Sequence, residues 1–131
     1  MLVADDNADM RDYLRRLLAQ HYDVLVAADG RDALEKARAE LPALILTDVM
    51  MPNLDGFALL CAVRADSALA AIPMILLSAR AGEDSTLEGI RAGANDYLIK
   101  PFGARELLAR VEAQIQRRRF EKELNAAEQR L

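Results

Sequence analysis

Five residues of this chain could do chemistry, and they share one setting. Asp5 and Asp6, Asp48, Ser78 and Lys100 stand at or just past the ends of the short apolar runs MLVA (1–4), LILT (44–47), MILLS (74–78) and YLI (97–99). If those run ends meet along one edge, three carboxylates share a cleft, and each raises its neighbours' pKa unless a cation compensates. Carboxylate and carbonyl oxygens suit a hard divalent ion such as magnesium, whose remaining coordination sites hold water or phosphate oxygens. Lys100 adds a fixed positive charge, so the cleft is a seat for an anion, and the expected visitor is a phosphoryl group. A carboxylate attacking phosphorus forms an acyl phosphate, and that reaction depends mainly on positioning and charge stabilisation.

The elements that must position these residues follow from hydrophobic periodicity. A fifth apolar run, VLVAA (24–28), leads into ADG, a turn and helix start. All five runs are continuous, as strands covered on both faces are. Between them lie helical patterns over 8–20 (Met10, Leu14, Leu17, Leu18), 30–40 (Ala33, Leu34, Ala37), 55–65 (Phe57, Leu60, Val63) and 83–93 (Leu87, Ile90), each predicting one buried stripe. Five strands alternating with five helices predict an α/β fold: a doubly wound, five-stranded parallel sheet with helices on both faces. In such sheets ligands bind beyond the carboxyl ends of the strands, where the polar residues gather. Alone, Asp48 would read as a cap for the turn that follows it. Beside Asp5, Asp6 and Lys100 the site reading prevails. The MMPNLDG segment after Asp48 must leave its strand sharply, with Pro52 fixing one backbone angle and Gly56 expected to relax another.

Composition excludes several classes. The 131 residues suit one domain, and 53% hydrophobic with 29% charged residues is an ordinary globular balance. No apolar run approaches the roughly 18 residues of a membrane span, and no export leader is visible, so a cytoplasmic location is expected. One cysteine and one histidine provide neither an intramolecular disulfide nor a zinc cluster, and Cys61 is expected in the core. The net charge of -4 argues against direct binding to nucleic acid. Residues 1–103 carry 10 Lys/Arg against 16 Asp/Glu, whereas residues 104–131 carry 7 against 5. The three arginines at 117–119, followed by Glu121 and Glu123, read as a solvated helix face.

Four motifs in order, ADDN (4–7), LTDVMMPNLDG (46–56), LLSA (76–79) and DYLIKPF (96–102), resemble a response-regulator receiver domain, and the resemblance covers residues 1–115. It implies the flavodoxin-like strand order 2-1-3-4-5. It makes Asp48 the phosphoacceptor, and it gives magnesium to Asp5, Asp6, Asp48 and the backbone carbonyl of Met50, with Asp6 a direct ligand and Asp5 mainly water-mediated. Lys100 would contact the phosphoryl oxygens, the Lys100–Pro101 bond would be cis, and Ser78 and Tyr97 would form the switch pair. Ser78 stands where many relatives carry threonine and keeps the hydroxyl. Met50 and Arg80 stand where side chains can orient hydrolytic water, and an apolar Met50 implies slow self-dephosphorylation. The implied donor is a phosphohistidine on a histidine kinase or histidine phosphotransfer domain. Such a domain catalyses only its own modification and is not an ordinary enzyme.

Two other readings are weaker. A magnesium-dependent phosphohydrolase forming a phospho-aspartate needs a second aspartate two residues after the nucleophile, and that position is Met50. A receiver-like scaffold that works unphosphorylated usually lacks an acidic residue or the lysine, and none is missing here. The stretch ADDNADMRDYLRRLL with its helical extension resembles receivers embedded in hybrid sensor kinases, and the ends are expected to be cut from a longer chain.

The C-terminal segment divides the expected organisation into a receiver over 1–115 and a helical extension over 116–131. Residues after Gly103 contain no proline or glycine, so one helix can run to the end. Leu108, Val111 and Ile115 should pack on the sheet. Phe120, Leu124, Ala127 and Leu131 restart the pattern with spacings of four, three and four, predicting a coiled-coil linker and a weak parallel homodimer.

Overall fold

Strands and helices alternate throughout: β1 (Leu2–Ala4), α1 (Ala8–Ala19), β2 (Leu25–Ala27), α2 (Gly30–Glu40), β3 (Ile45–Asp48), α3 (Gly56–Ala65), β4 (Met74–Ser78), α4 (Glu83–Arg91), β5 (Asp96–Ile99) and α5 (Ala104–Gln129). The structure, a computed structural model, describes residues 1–79 and 83–129. All strand pairs are parallel, in the order β2-β1-β3-β4-β5. Among the described residues no helix is long and apolar enough to cross a membrane.

The continuous apolar runs are explained by two cores, one on each face of the sheet. Leu2, Ala4, Ile45, Met74, Leu76 and Tyr97 face one way, against α2 and α3 residues such as Ala33, Ala37, Leu59 and Val63. Their neighbours Val3, Leu46, Ile75, Leu77 and Leu98 face the other way, against Leu14 and Leu18 of α1 and Leu107, Val111 and Ile115 of α5. Side chains alternate across a strand, so a strand buried on both faces has no polar position to spare until it ends. Polar groups are therefore displaced to the strand termini.

The helices begin where short polar side chains can cap them. Asn7, Asp29 and Asp55 cap α1, α2 and α3, each accepting the backbone N–H three residues on at 2.9, 2.8 and 2.8 Å. Asp29 also accepts from the Asn53 side chain at 3.0 Å, joining the loop after β3 to the start of α2. Asn53 takes a left-handed conformation, φ 67°, which its short amide tolerates.

Three expectations about burial need correction. Cys61 is exposed, because α3 turns Gly56, Leu59, Leu60 and Val63 inward and position 61 lies on the opposite side. Leu87 and Ile90 of α4 are also exposed, and the buried position between them is Gly89. Spacing shows that two residues share a face without showing which face turns inward. On α5 the stripe begins at Leu107, and Leu108 is only partly buried.

Gly56 is helical, so its role is room and not an unusual backbone angle. A Cβ there would stand 2.5 Å from the Asp48 carbonyl oxygen, and a Cβ at Gly30 would collide with that of Leu54. At the opposite end of the sheet Arg64 ties three segments together. Its guanidinium donates to the carbonyls of Gly93 (3.0 Å), Ala70 (3.0 Å) and Ile72 (2.7 Å) and to Asn95 Oδ1 (2.8 Å).

Candidate functional site

The β1, β3 and β5 ends deliver charge to one place. One carboxylate oxygen from each of Asp5, Asp6 and Asp48 lies within 4.8 Å of the others. Lys100 reaches in from the end of β5, its Nζ 3.4 Å from Asp5 Oδ2 and 3.3 Å from Asp48 Oδ1. Asp5 is fully buried and Asp48 is 7% exposed, while Asp6 is open to solvent. A buried carboxylate needs partners. Asp5 has them: Oδ1 accepts the Asn7 N–H at 2.9 Å, and Oδ2 faces Lys100.

The main chain around Asp48 is held from several sides. Val49 N–H donates to Leu77 O and Gly56 N–H to Val49 O, at 2.9 and 2.8 Å. The buried Thr47 hydroxyl donates to the Asp48 carbonyl at 3.0 Å. Asp48 therefore sits at a fixed point where β3 ends, and Gly56 allows α3 to start directly against it. Sequence reasoning missed Thr47 and the close-packing role of Gly56. The threonine preceding the aspartate was a weak signal, whereas the glycine contact depends on backbone segments that only the fold brings together.

Burial pushes the Asp48 carboxyl above the ordinary carboxylate range, the charge of Asp5 pushes it further, and Lys100 opposes both. One lysine does not neutralise three carboxylates. Three convergent hard oxygen donors with excess negative charge are the chemistry that a divalent cation satisfies, so the residues present fit such an ion.

Ser78 is fully buried at the end of β4, and its carbonyl accepts the Lys100 N–H at 2.8 Å. The Lys100–Pro101 bond is cis. Tyr97 points into the core with 7% exposure, and its hydroxyl is buried with no hydrogen-bond partner among the described residues. Met50 lies exposed in the loop after Asp48. Arg80 lies outside the described residues.

A sheet of this order with an acidic pocket at its carboxyl edge is a receiver architecture, and comparison with known proteins agrees. Residues 1–112 match the family model described as response regulator receiver domain, and the chain belongs to that family. It is 40% identical over 111 residues to hybrid signal transduction histidine kinase D of Dictyostelium discoideum, covering 85% of this chain and 7% of that protein. It is 42% identical over 120 residues to the transcriptional regulatory protein PrrA of Mycobacterium tuberculosis, covering 90% of this chain and 50% of PrrA. The chain thus spans half or less of these two curated relatives. The receiver domain of the Francisella response regulator 1452 superposes with a TM-score of 0.84 at 36% identity, over 88% of this chain and 95% of that one. The chain is accordingly a receiver domain of two-component signalling, a module found in both histidine kinases and response regulators.

The raised Asp48 pKa has a consequence for stability. Between the ordinary and the raised pKa the folded state binds the extra proton, so the contribution of Asp48 is most favourable at low pH and is lost as pH rises through the raised value. Asp48→Asn removes that loss. Without divalent cations, the variant should melt above wild type at pH 7, and the gap should shrink as the pH falls toward 4. Thermal melts across that range check this, and a variant less stable than wild type at pH 7 would contradict it.

Proposed function

We propose that this domain accepts a phosphoryl group on Asp48 from a phosphohistidine of a histidine kinase or histidine phosphotransfer domain, and signals onward by changing conformation. The observation that carries this reading is the placement of Lys100 Nζ within 3.3 and 3.4 Å of Asp48 and Asp5, beside the three converging carboxylates. A carboxylate oxygen of Asp48 attacks phosphorus, the O–P bond forms as the P–N bond breaks, and the imidazole nitrogen leaves with the electron pair. Lys100 holds the phosphoryl oxygens through its charge. Asp6, Asp48 and the Met50 carbonyl would hold magnesium directly, and Asp5, whose two oxygens already face Lys100 and the Asn7 N–H, would act through water. Bound there, the ion would neutralise the charge that accumulates on the phosphoryl oxygens.

Once Asp48 is phosphorylated, the Ser78 hydroxyl meets a phosphoryl oxygen, the inward pose that Tyr97 already takes here is favoured, and the face formed by α4, β5 and α5 is remodelled. Such a domain turns over no separate substrate, it works in the cytoplasm, and it contacts neither nucleic acid nor membrane directly. Exposed, apolar Met50 cannot activate water, so the phosphorylated form should be long-lived. Residues 1–115 are the switch, and 116–131 are a coiled-coil linker.

Incubation with acetyl phosphate and magnesium, followed by intact mass, tests the phosphoacceptor. Wild type should gain one phosphate, removable by hydroxylamine and absent with chelator, and Asp48→Asn should gain none. Stoichiometric labelling of the variant would refute the assignment, and donor turnover far above one equivalent would favour a phosphohydrolase.

The linker reading has its own support. Helix α5 runs unbroken through 26 residues, about 39 Å at 1.5 Å per residue, and its packing on the sheet ends at Ile115. Beyond that point Phe120 and Leu124 are 66% and 51% exposed. The positions 127 and 131 that complete the stripe have side chains outside the described residues. A second copy in parallel register would cover this stripe, weakly because it spans barely two heptads. Sedimentation should show the 131-residue chain self-associating at high micromolar concentration and a chain ending at Arg118 remaining monomeric. Monomers in both cases would exclude the dimer.

A further inference from the structure

Four strand ends bring polar groups to the cleft, and the end of β2 does not. The chain leaves β2 through Ala28 into Asp29, the cap of α2. The Asp29 carboxylate has two partners: Oδ1 accepts the Asp32 N–H at 2.8 Å, and Oδ2 accepts the Asn53 side-chain amide at 3.0 Å. Asn53 lies in the loop between β3 and α3, 24 residues further along the chain, and is left-handed with φ 67°. One residue on, the Leu54 carbonyl lies against Gly30, where a Cβ would collide with it. The loop after Asp48 thus rests on the first turn of α2 at two successive residues.

The part of the loop nearer Asp48 is held differently. Val49 bonds to Leu77 and Gly56 through its backbone, and the Met51 side chain enters the core with its sulfur 3.9 Å from the Thr47 hydroxyl. Met50 between them is exposed, and among the described residues no group donates a hydrogen bond to its carbonyl. Pro52 restricts one backbone angle beyond it, and Asn53 is the next fixed point.

We propose that Asn53 and Asp29 form a strap and are positioning residues for the Met50 carbonyl, holding the loop in the pose that offers this oxygen to the cation. The proposal rests on the magnesium reading given above. Both residues act through the backbone between Met50 and Asn53. A ligand held in place before binding need not be ordered on binding, so the strap contributes to affinity. By linkage the cation strengthens the strap in return.

Met50–Met51 is the one Met–Met pair in the sequence. Protein made with methionine carrying carbonyl carbon-13 and amide nitrogen-15 therefore gives a single HNCO peak, which reports the Met50 carbonyl directly. Asn53→Gly keeps a left-handed backbone accessible and removes the donor. Asp29→Asn keeps a good cap for α2 and leaves two amide groups facing each other. The double variant Asp29→Asn/Asn53→Asp reverses the hydrogen bond at unchanged net charge. Asn53 is exposed, so these proteins should fold.

Without metal, the peak should move in Asn53→Gly and in Asp29→Asn and return toward its wild-type position in the reversed pair. In magnesium titrations Asn53→Gly should bind about three- to tenfold more weakly than wild type, the ratio that one net hydrogen bond supplies. The reversed pair should recover most of that affinity. An unmoved peak or wild-type affinity in Asn53→Gly would overturn the proposal, and so would a reversed pair no better than Asn53→Gly. Failure of wild type to bind magnesium would instead overturn the cation reading, with the metal-free peak still deciding whether the strap sets the Met50 carbonyl.

Discussion

Everything in this domain is arranged around three carboxylates that the sheet forces together. Asp5, Asp6 and Asp48 converge within 4.8 Å, two of them buried, and Lys100 is the one cationic side chain paired with them among the described residues. Such a cluster is unfavourable unless charge balances it, and its deficit of positive charge suits the site to a cation. The fold holds the groups in place against that repulsion. Strand pairing fixes Asp48 in register with Leu77, the backbone of Val49 and Gly56 closes the following turn, and the bond between Lys100 N–H and Ser78 O sets the end of β5 against β4.

The same arrangement links the cleft to a distant surface. Ser78 ends β4, and Tyr97 lies beside Leu76 of that strand on β5, with α4 over both at Gly89. One end of α4 is fastened through Arg64, while Leu87 and Ile90 of the same helix remain exposed. A change in the cleft therefore has a short physical route through packed side chains to a surface that bears apolar groups. The helix that covers the Val3, Leu46 and Ile75 face is the same helix that runs on beyond the body.

The sheet and the acidic cluster were readable from sequence for one reason: strands buried on both faces have no place for polar residues except their ends. Asp5, Asp48, Ser78 and Lys100 stood out against continuous apolar runs, and their common edge followed from parallel topology. Other features had no such contrast. Leu87, Ile90 and Cys61 looked like core residues because apolar character and helical spacing do not reveal which side of a helix meets the sheet. The demands on Gly30, Gly56 and Gly89 come from distant segments approaching within contact distance, which no local pattern records. Arg64 looked like an ordinary helix arginine until the fold brought four acceptors to it.

The central claim is that the three carboxylates form one cation site. Isothermal titration of magnesium into the unphosphorylated domain addresses it directly. The account predicts a single site in wild type, lost in Asp6→Ala and weakened in Asp48→Asn, while Glu112→Gln on the outer surface of α5 binds as wild type does. Binding of equal affinity in wild type and Asp6→Ala, or no binding to wild type at millimolar magnesium, would contradict it.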